Sequence, residues 1–256
     1  MGSRPVTASG PFNDHFSRVA AAYAAHRPSY PAALIDSLAR LAPARHVVWD
    51  AGCGSGQLSR LLAGPFERVV ATDASLDQIA QAIPHPRVEY RCAPAEASGL
   101  PDGAADLATA AQAAHWFDLP AYYAEVRRVA RPGGIVAVIG YGVVATGDEL
   151  DAIIQPFYRD VLGRHWPPER RHVDEGYRAL AFPFQEIDPP ALEIRLDWRL
   201  EDLVGYVGTW SAVAALERVE GPAPFGAFRR ALAHAWGPPA TVRSVSWPLA
   251  LRVGRV

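Results

Sequence analysis

Apolar side chains first recur along the chain at helical spacing. Phe16, Val19, Ala20 and Tyr23 fall on one face of a helix predicted over 14–26, with Asp14 as its N-cap. The segment His26-Arg27-Pro28-Ser29-Tyr30-Pro31 breaks that helix. Pro31 then opens a second one, with Leu34, Ile35, Leu38 and Leu41 on one face. The pattern next switches to short apolar runs. Val47 to Asp50 reads as a strand, followed by a glycine-rich turn and a helix carrying Leu58, Leu61 and Leu62. Arg68 to Thr72 reads as a strand ending at Asp73, and Leu76, Ile79 and Ile83 mark a helix. Arg87 to Arg91 and Asp106 to Ala111 read as strands. Pro120 starts a helix through Tyr123, Val126 and Val129, and Arg131-Pro132-Gly133-Gly134 stops it and turns into the strand Ile135 to Gly140.

Strands and helices thus alternate from residue 46 to 140. That alternation predicts an α/β fold, a doubly wound, mostly parallel sheet with right-handed crossovers. Beyond it, Glu149 to Leu162 looks helical and Arg164 to Val173 reads as a loop rich in Pro, Arg and His. Leu192 to Trp198 alternates as a strand, Leu200 to Leu216 and Phe225 to Trp236 look helical, and Val242 to Val253 closes the chain as a strand. The count is a seven-stranded sheet with helical lid insertions over its carboxyl edge. The expected organisation is one domain: an N-terminal helical cover over 1–45, a cofactor-binding core over 46–145, and sheet-completing strands plus lid over 146–256.

Composition narrows the chemistry. Half of the 256 residues are apolar and 20% are charged, as in a soluble globule. Arginine supplies all 25 basic residues, for there is no lysine, and 27 acidic residues leave a net charge of −2. Schiff-base lysine chemistry, pyridoxal phosphate enzymes and P-loop NTPases are thereby excluded. A near-neutral balance argues against a nucleic-acid partner. Two cysteines, Cys53 and Cys92, build neither a disulfide framework nor a four-cysteine zinc site, and both read as reduced thiols in core segments. Met1 to Pro11 has no apolar leader, Val6 stands where a myristoylation motif needs Ser or Thr, and the longest apolar run, Gly133 to Ala145, is too short to span a bilayer. The expectation is a cytoplasmic protein, monomer or homodimer, with no nucleic-acid or membrane partner and no metal.

The most informative stretch is Val47-Val48-Trp49-Asp50-Ala51-Gly52-Cys53-Gly54-Ser55-Gly56-Gln57-Leu58. An apolar strand runs into an acidic residue and then three glycines at alternate positions. Glycine lets a backbone turn tightly and approach a ligand where a Cβ would clash. The spacing is not the G-x-G-x-x-G of pyrophosphate-binding turns. Asp50 would repel a pyrophosphate but suits an ammonium group. Asp73 ends the next strand about 20 residues on, where an acidic residue grips ribose hydroxyls. A nicotinamide-dependent oxidoreductase remains a rival on such a sheet, though the glycine spacing and Asp50 oppose it.

With these pieces in place the chain resembles the class I S-adenosylmethionine-dependent methyltransferases of the type 11 group. More narrowly it is similar to bacterial and fungal trans-aconitate methyltransferase-like proteins. The pieces that match are Phe16-Ser17, Tyr23, Arg27-Pro28-Ser29-Tyr30-Pro31, Asp50 to Gly56, Ala95-Glu96 and Gln112 to Phe117. Arg131 to Gly134, Trp166 to Arg170, Val173-Asp174-Glu175, Tyr177 and Thr209-Trp210-Ser211 complete them, so the likeness covers most of the chain. The glycine motif is common to the superfamily; His115-Trp116 and Thr209-Trp210-Ser211 are more specific.

The resemblance implies S-adenosyl-L-methionine as cofactor and S-adenosyl-L-homocysteine as product. It places Gly52, Gly54 and Gly56 under the methionine part, Asp50 by its amino group and Asp73, followed by Ala74, on the ribose. Leu76 would pack on the adenine, whose edge is read near Ala95 and Glu96; Pro94 stands where relatives carry an aspartate. Tyr23 and Arg27 would belong to the cofactor cover and Gln112 to the edge where the methyl points. Aromatic residues Phe16, Tyr30, Trp116, Trp166 and Trp210 with Arg170 would meet the substrate.

A sulfonium methyl is already activated, so the enzyme must chiefly align nucleophile, methyl and sulfur and exclude water. A base is needed only for a protonated nucleophile, and His115 is the candidate. Arg164, His165, Arg170, Arg171 and His172 form a basic loop suited to an acidic substrate. The expected reaction is in-line transfer to a small molecule, a carboxylate or other oxygen nucleophile; a non-catalytic protein that binds the same cofactor is the remaining alternative.

Overall fold

The computed structural model describes residues 28–147 and 149–256. The helix expected over 14–26, with Phe16 and Tyr23, lies outside them, as does Arg27.

Among the described residues, helix α1 (Ala32–Leu41) starts after Pro31 and buries Leu34, Ile35 and Leu38. Strands β1 (Val47–Ala51), β2 (Arg68–Asp73), β3 (Val88–Cys92), β4 (Ala105–Ala111) and β5 (Ala130–Tyr141) follow in parallel, ordered β3-β2-β1-β4-β5. Their crossovers carry α2 (Gln57–Leu62), α3 (Leu76–Ala80) and α4 (Leu119–Val129). The strand residues Val48, Trp49, Val69, Val70, Leu107 and Val136 are all buried, as expected of a parallel sheet covered on both faces. Apolar burial is the main stabilising term, and it divides into two clusters, one on each side of the sheet.

The second half begins with α5 (Asp151–Pro156), a π turn over Phe157–Val161 and a 3₁₀ turn at Gly163–His165; α6 (Arg170–Asp174) comes next. Then come β6 (Gln185–Ile187), β7 (Glu193–Trp198), α7 (Leu200–Gly208), α8 (Ser211–Glu220), α9 (Ala223–Trp236) and β8 (Arg243–Arg255). The 13-residue β8 lies antiparallel to β5. Its first half pairs with β7 through Arg243–Pro248 and its end pairs with β6 through Val253–Arg255. The doubly wound sheet is as expected and carries an eighth strand: β6 is three residues of Gln, Glu and Ile, too short and polar to stand out.

Four expectations are corrected. Leu76, Ile79 and Ile83 do not share one helix: α3 stops at Ala80, Leu76 is 66% exposed and Ile83 54%. Pro84 and Pro86 deny that segment further helix. The helix expected over Leu200 to Leu216 breaks at Thr209, whose hydroxyl donates to the Tyr206 carbonyl (2.6 Å), and Trp210 is extended. The loop Arg164 to Val173 contains helical turns at both ends. Cys92 is exposed at the end of β3 rather than in the core.

Candidate active site

The glycine turn lies at the carboxyl end of β1, where the sheet order reverses between β1 and β4 and open α/β sheets bind ligands. Gly52, Gly54 and Gly56 all have positive φ (64°, 55° and 83°), a region that side chains disfavour. Space is equally restrictive. A Cβ on Gly52 would lie 2.5 Å from the Ala113 Cβ and 2.9 Å from Phe117, and one on Gly56 would run into the Tyr90 ring. Backbone bonds fix the turn: Cys53 N–H donates to the Thr72 carbonyl (3.0 Å) and Gly56 N–H to that of Cys53 (3.0 Å).

Both predicted carboxylates stand at this turn. Asp50 is buried and accepts from Ser59 Oγ (2.6 Å) and Thr109 Oγ1 (2.7 Å). Burial outweighs those two bonds and pushes its carboxyl up to about 6. Asp73 accepts from the backbone N–H of Gly54 (2.8 Å) and of Ser75 (2.8 Å), so it ties the turn to the end of β2. Burial, with Asp50 and Asp73 nearby, pushes the Cys53 thiol well up, which leaves it unreactive.

A cavity of about 700 Å³ opens over the turn. Asp50, Gly52, Gly54, Asp73, Ala74, Ala95 and Gln112 line it on the sheet side, all of them predicted. Tyr30, Trp116 and Trp166 line it as well. Gln112 has a left-handed backbone (φ 55°), a strained state that persists where the surroundings enforce it. Its N–H donates to the Ile139 carbonyl (2.8 Å) and its Nε2 to the Tyr141 carbonyl (2.8 Å).

Other predicted residues do not line the cavity. Glu96 accepts from the Asp118 N–H (2.9 Å) and so serves the start of α4. Leu76 projects into solvent next to the lining residues Ser75 and Gln78. His115, the candidate base, is not among the lining residues: its Nδ1 lies 3.0 Å from Tyr177 Oη, and burial, with Arg170 and His172 nearby, holds it down to about 3.

Arg170 and Trp210 belong to a buried aromatic cluster beside the cavity. The Arg170 guanidinium lies 5.0 Å from the Trp166 ring, and its Nε donates to Tyr158 Oη (2.8 Å) and Asp174 (3.3 Å). Tyr158 Oη in turn donates to Asp174 (2.6 Å). Trp210 packs edge-on to Tyr158 with ring centres 5.5 Å apart. Much of the basic loop is therefore neutralised internally, since Arg164 (2.6 Å) and His165 (2.9 Å) both bond Glu220. Phe117, Glu169, Ser211 and Ala215 also line the cavity. The sequence reading gave the last three no role at the site. Glu169 and Ser211 stand inside the Trp166 to Arg170 and Thr209-Trp210-Ser211 runs, and Ala215 carried no signal.

Strand order, glycine turn and the acidic residue ending β2 together define a class I methyltransferase fold. The model of a methyltransferase domain matches residues 49–138. A Dictyostelium discoideum protein named as a methyltransferase is 33% identical over 217 residues, 82% of each chain. The solved structure of a type II methyltransferase from Anaeromyxobacter dehalogenans is 51% identical. It superimposes with a TM-score of 0.86 over 90% of this chain and 97% of its own. A malonyl-[acyl-carrier protein] O-methyltransferase of Pseudescherichia vulneris is 37% identical over 125 residues, 48% of this chain and 50% of its own. The chain belongs to the S-adenosylmethionine-dependent methyltransferases of class I, type 11. Among the described residues no helix is long and apolar enough to cross a membrane.

Proposed function

We propose that this enzyme binds S-adenosylmethionine over the glycine turn and methylates an oxygen atom of a small molecule held at the lid side of the same cavity. The observation that carries the reading is the cradle itself. The turn bares its backbone to the cavity at Gly52 and Gly54, where left-handed angles disfavour any side chain, next to a buried carboxylate, Asp50, that lacks a cationic partner among the described residues. A slim chain bearing an ammonium group fits both features. Asp50 would take that ammonium, Asp73 the ribose hydroxyls, and Ala95 the adenine.

The cofactor supplies an electrophilic methyl on a sulfonium whose departure leaves a neutral thioether. The protein's own work is alignment and exclusion of water. Gln112, fixed by two carbonyls at the end of β4, marks the edge where the acceptor meets the methyl. Trp116, Phe117 and Trp166 supply apolar cover. His165 lines the cavity and is oriented by Glu220, so it is better placed than His115 to accept a proton if the acceptor is a hydroxyl. The Pseudescherichia relative's name supports an oxygen acceptor.

The test is calorimetry of folded protein with S-adenosylhomocysteine, followed by methyl transfer from S-adenosylmethionine to a panel of hydroxyl and carboxyl acceptors. Binding with oxygen methylation is the expected result. Absence of cofactor binding overturns the reading, and binding without transfer to any acceptor favours a non-catalytic role.

A further inference from the structure

The proposed reading leaves the acceptor's charge open, and the cavity lining bears on it. Among the described residues the lining carries three carboxylates, Asp50, Asp73 and Glu169, against one imidazole, His165, and no arginine. Two of the carboxylates are accounted for at the glycine turn. Glu169 comes from the lid segment facing that turn, directly after Trp166, Pro167 and Pro168, which line the cavity with it. Its carboxylate makes no hydrogen bond or ion pair within the described residues. Of the basic side chains near it in sequence, Arg164 and His165 are held by Glu220, and Arg170 by Tyr158 and Asp174.

The geometry points to a small organic cation as the acceptor, its protonated amine held by Glu169 and its body against Trp166, Trp116 and Tyr30. This rests on the methyl-transfer reading and deepens it. An ammonium gains from both partners. A carboxylate accepts short charge-assisted hydrogen bonds, and aromatic faces attract a cation through their quadrupole. An anionic acceptor meets the opposite arrangement. At the lid side it would meet the Glu169 carboxylate with no arginine among the described lining residues, and like charges cost more in a partly enclosed space than in bulk water. A dicarboxylate or tricarboxylate, which the narrower family resemblance suggests, is the poorest match to this lining. Recognition by the ammonium leaves the methylated oxygen elsewhere on the same molecule, as in a phenol or alcohol with an amine-bearing arm.

Matched probes test this. Tyramine and 4-hydroxyphenylacetate share a phenol and differ in the charge of the arm; benzylamine and benzoate are a smaller pair. Each is titrated into protein saturated with S-adenosylhomocysteine. The amines should bind at least about tenfold more tightly than the acids. Glu169→Gln, a near-isosteric change at a half-buried position, should cancel that preference by weakening the amines while S-adenosylhomocysteine affinity stays within about twofold. Acids binding as tightly as amines, neither amine binding, or Glu169→Gln leaving amine affinity unchanged would each overturn the proposal. Failure of S-adenosylhomocysteine to bind in these titrations would instead sink the methyl-transfer reading. The amine preference, measured without it, would still be decided by Glu169→Gln.

Discussion

The glycine turn after β1 and the lid segment Gly163–Asp174 both line one cavity, yet they are held in place by different kinds of bond. The turn is fixed through the backbone: Cys53 N–H on the Thr72 carbonyl, Gly54 N–H on Asp73, three residues in the left-handed region. The lid has local backbone turns of its own but is tied to neighbouring segments through side chains: Arg164 and His165 on Glu220, Trp166 Nε1 on the Tyr158 carbonyl, Arg170 on Tyr158. A backbone-set wall tolerates few sequences, because each residue must suit a dihedral angle and a gap as well as a partner. A side-chain-set wall can be rebuilt one residue at a time without disturbing the sheet. One fold can thus keep its cofactor and change its acceptor.

The largest effect is expected where the backbone constraint is tightest. Gly52→Ala places a Cβ 2.5 Å from the Ala113 Cβ at a φ of 64°, so the turn must move. Binding of S-adenosylhomocysteine should fall by more than about 100-fold in calorimetry, and strain of about 1–2 kcal/mol should lower the apparent Tm. If the Gly52→Ala variant bound the ligand normally, the turn would not be the cradle described. Asp73→Ala comes next. It removes the two N–H bonds that hold the turn and the ribose contact proposed above, and should weaken binding about 100-fold, roughly 2.7 kcal/mol. An Asp73→Asn variant retains an acceptor oxygen and should recover part of that loss.

The same contrast explains what could be read in the sequence. Asp50, the three glycines and Asp73 lie within two consecutive strand–turn units, so their spacing already placed them at one sheet edge. Gln112 was legible because β4 ends there. The lid is assembled from distant segments. Glu220 sits 55 residues beyond His165, and no period or spacing connects them. Hence the basic loop read as a free cationic surface when Arg164, His165 and Arg170 are in fact paired. His115 looked chemically apt, yet its environment was unreadable, because Tyr177 lies 62 residues away and in an uncommon backbone state (φ 60°). Strand β6 escaped notice for a related reason: its pairing with Val253–Arg255 is non-local and its own composition is polar.

Asp50 offers a sharper test, because binding and folding pull on it in opposite directions. Its carboxyl is raised by burial from the usual 3.8 to about 6, so the folded chain holds that proton more firmly than the unfolded chain. Stability of the cofactor-free protein should therefore decline as pH rises from about 4 to about 6 and stay at the lower level above, by up to roughly 3 kcal/mol. Asp50→Asn cannot ionise and should flatten that decline, leaving the variant more stable than the parent at pH 8 in urea titrations. It should also bind S-adenosylhomocysteine about tenfold more weakly, having lost the partner of the ammonium. A variant that lost stability at pH 8 would mean that Asp50 serves the fold and not the ligand.

The smallest change is expected at the lid latch. Glu220→Gln removes the charge that holds both Arg164 and His165, and hydrogen bonds from those two side chains are what keep its carboxyl below the ordinary range. Partly exposed pairs of this kind contribute little to folding, so the melting curve should not move measurably. S-adenosylhomocysteine affinity should stay within about twofold of the parent, because no backbone bond of the glycine turn depends on Glu220. The effect should be confined to the acceptor: a severalfold rise in its KM, and a changed pH profile of turnover if His165 takes the acceptor's proton. This split decides whether the two walls are separable. Were cofactor affinity to fall as much as acceptor affinity, the lid would have to form part of the cofactor's own enclosure. Backbone-set and side-chain-set walls would then act as one unit, and substitutions that alter the acceptor would carry a cost in cofactor binding.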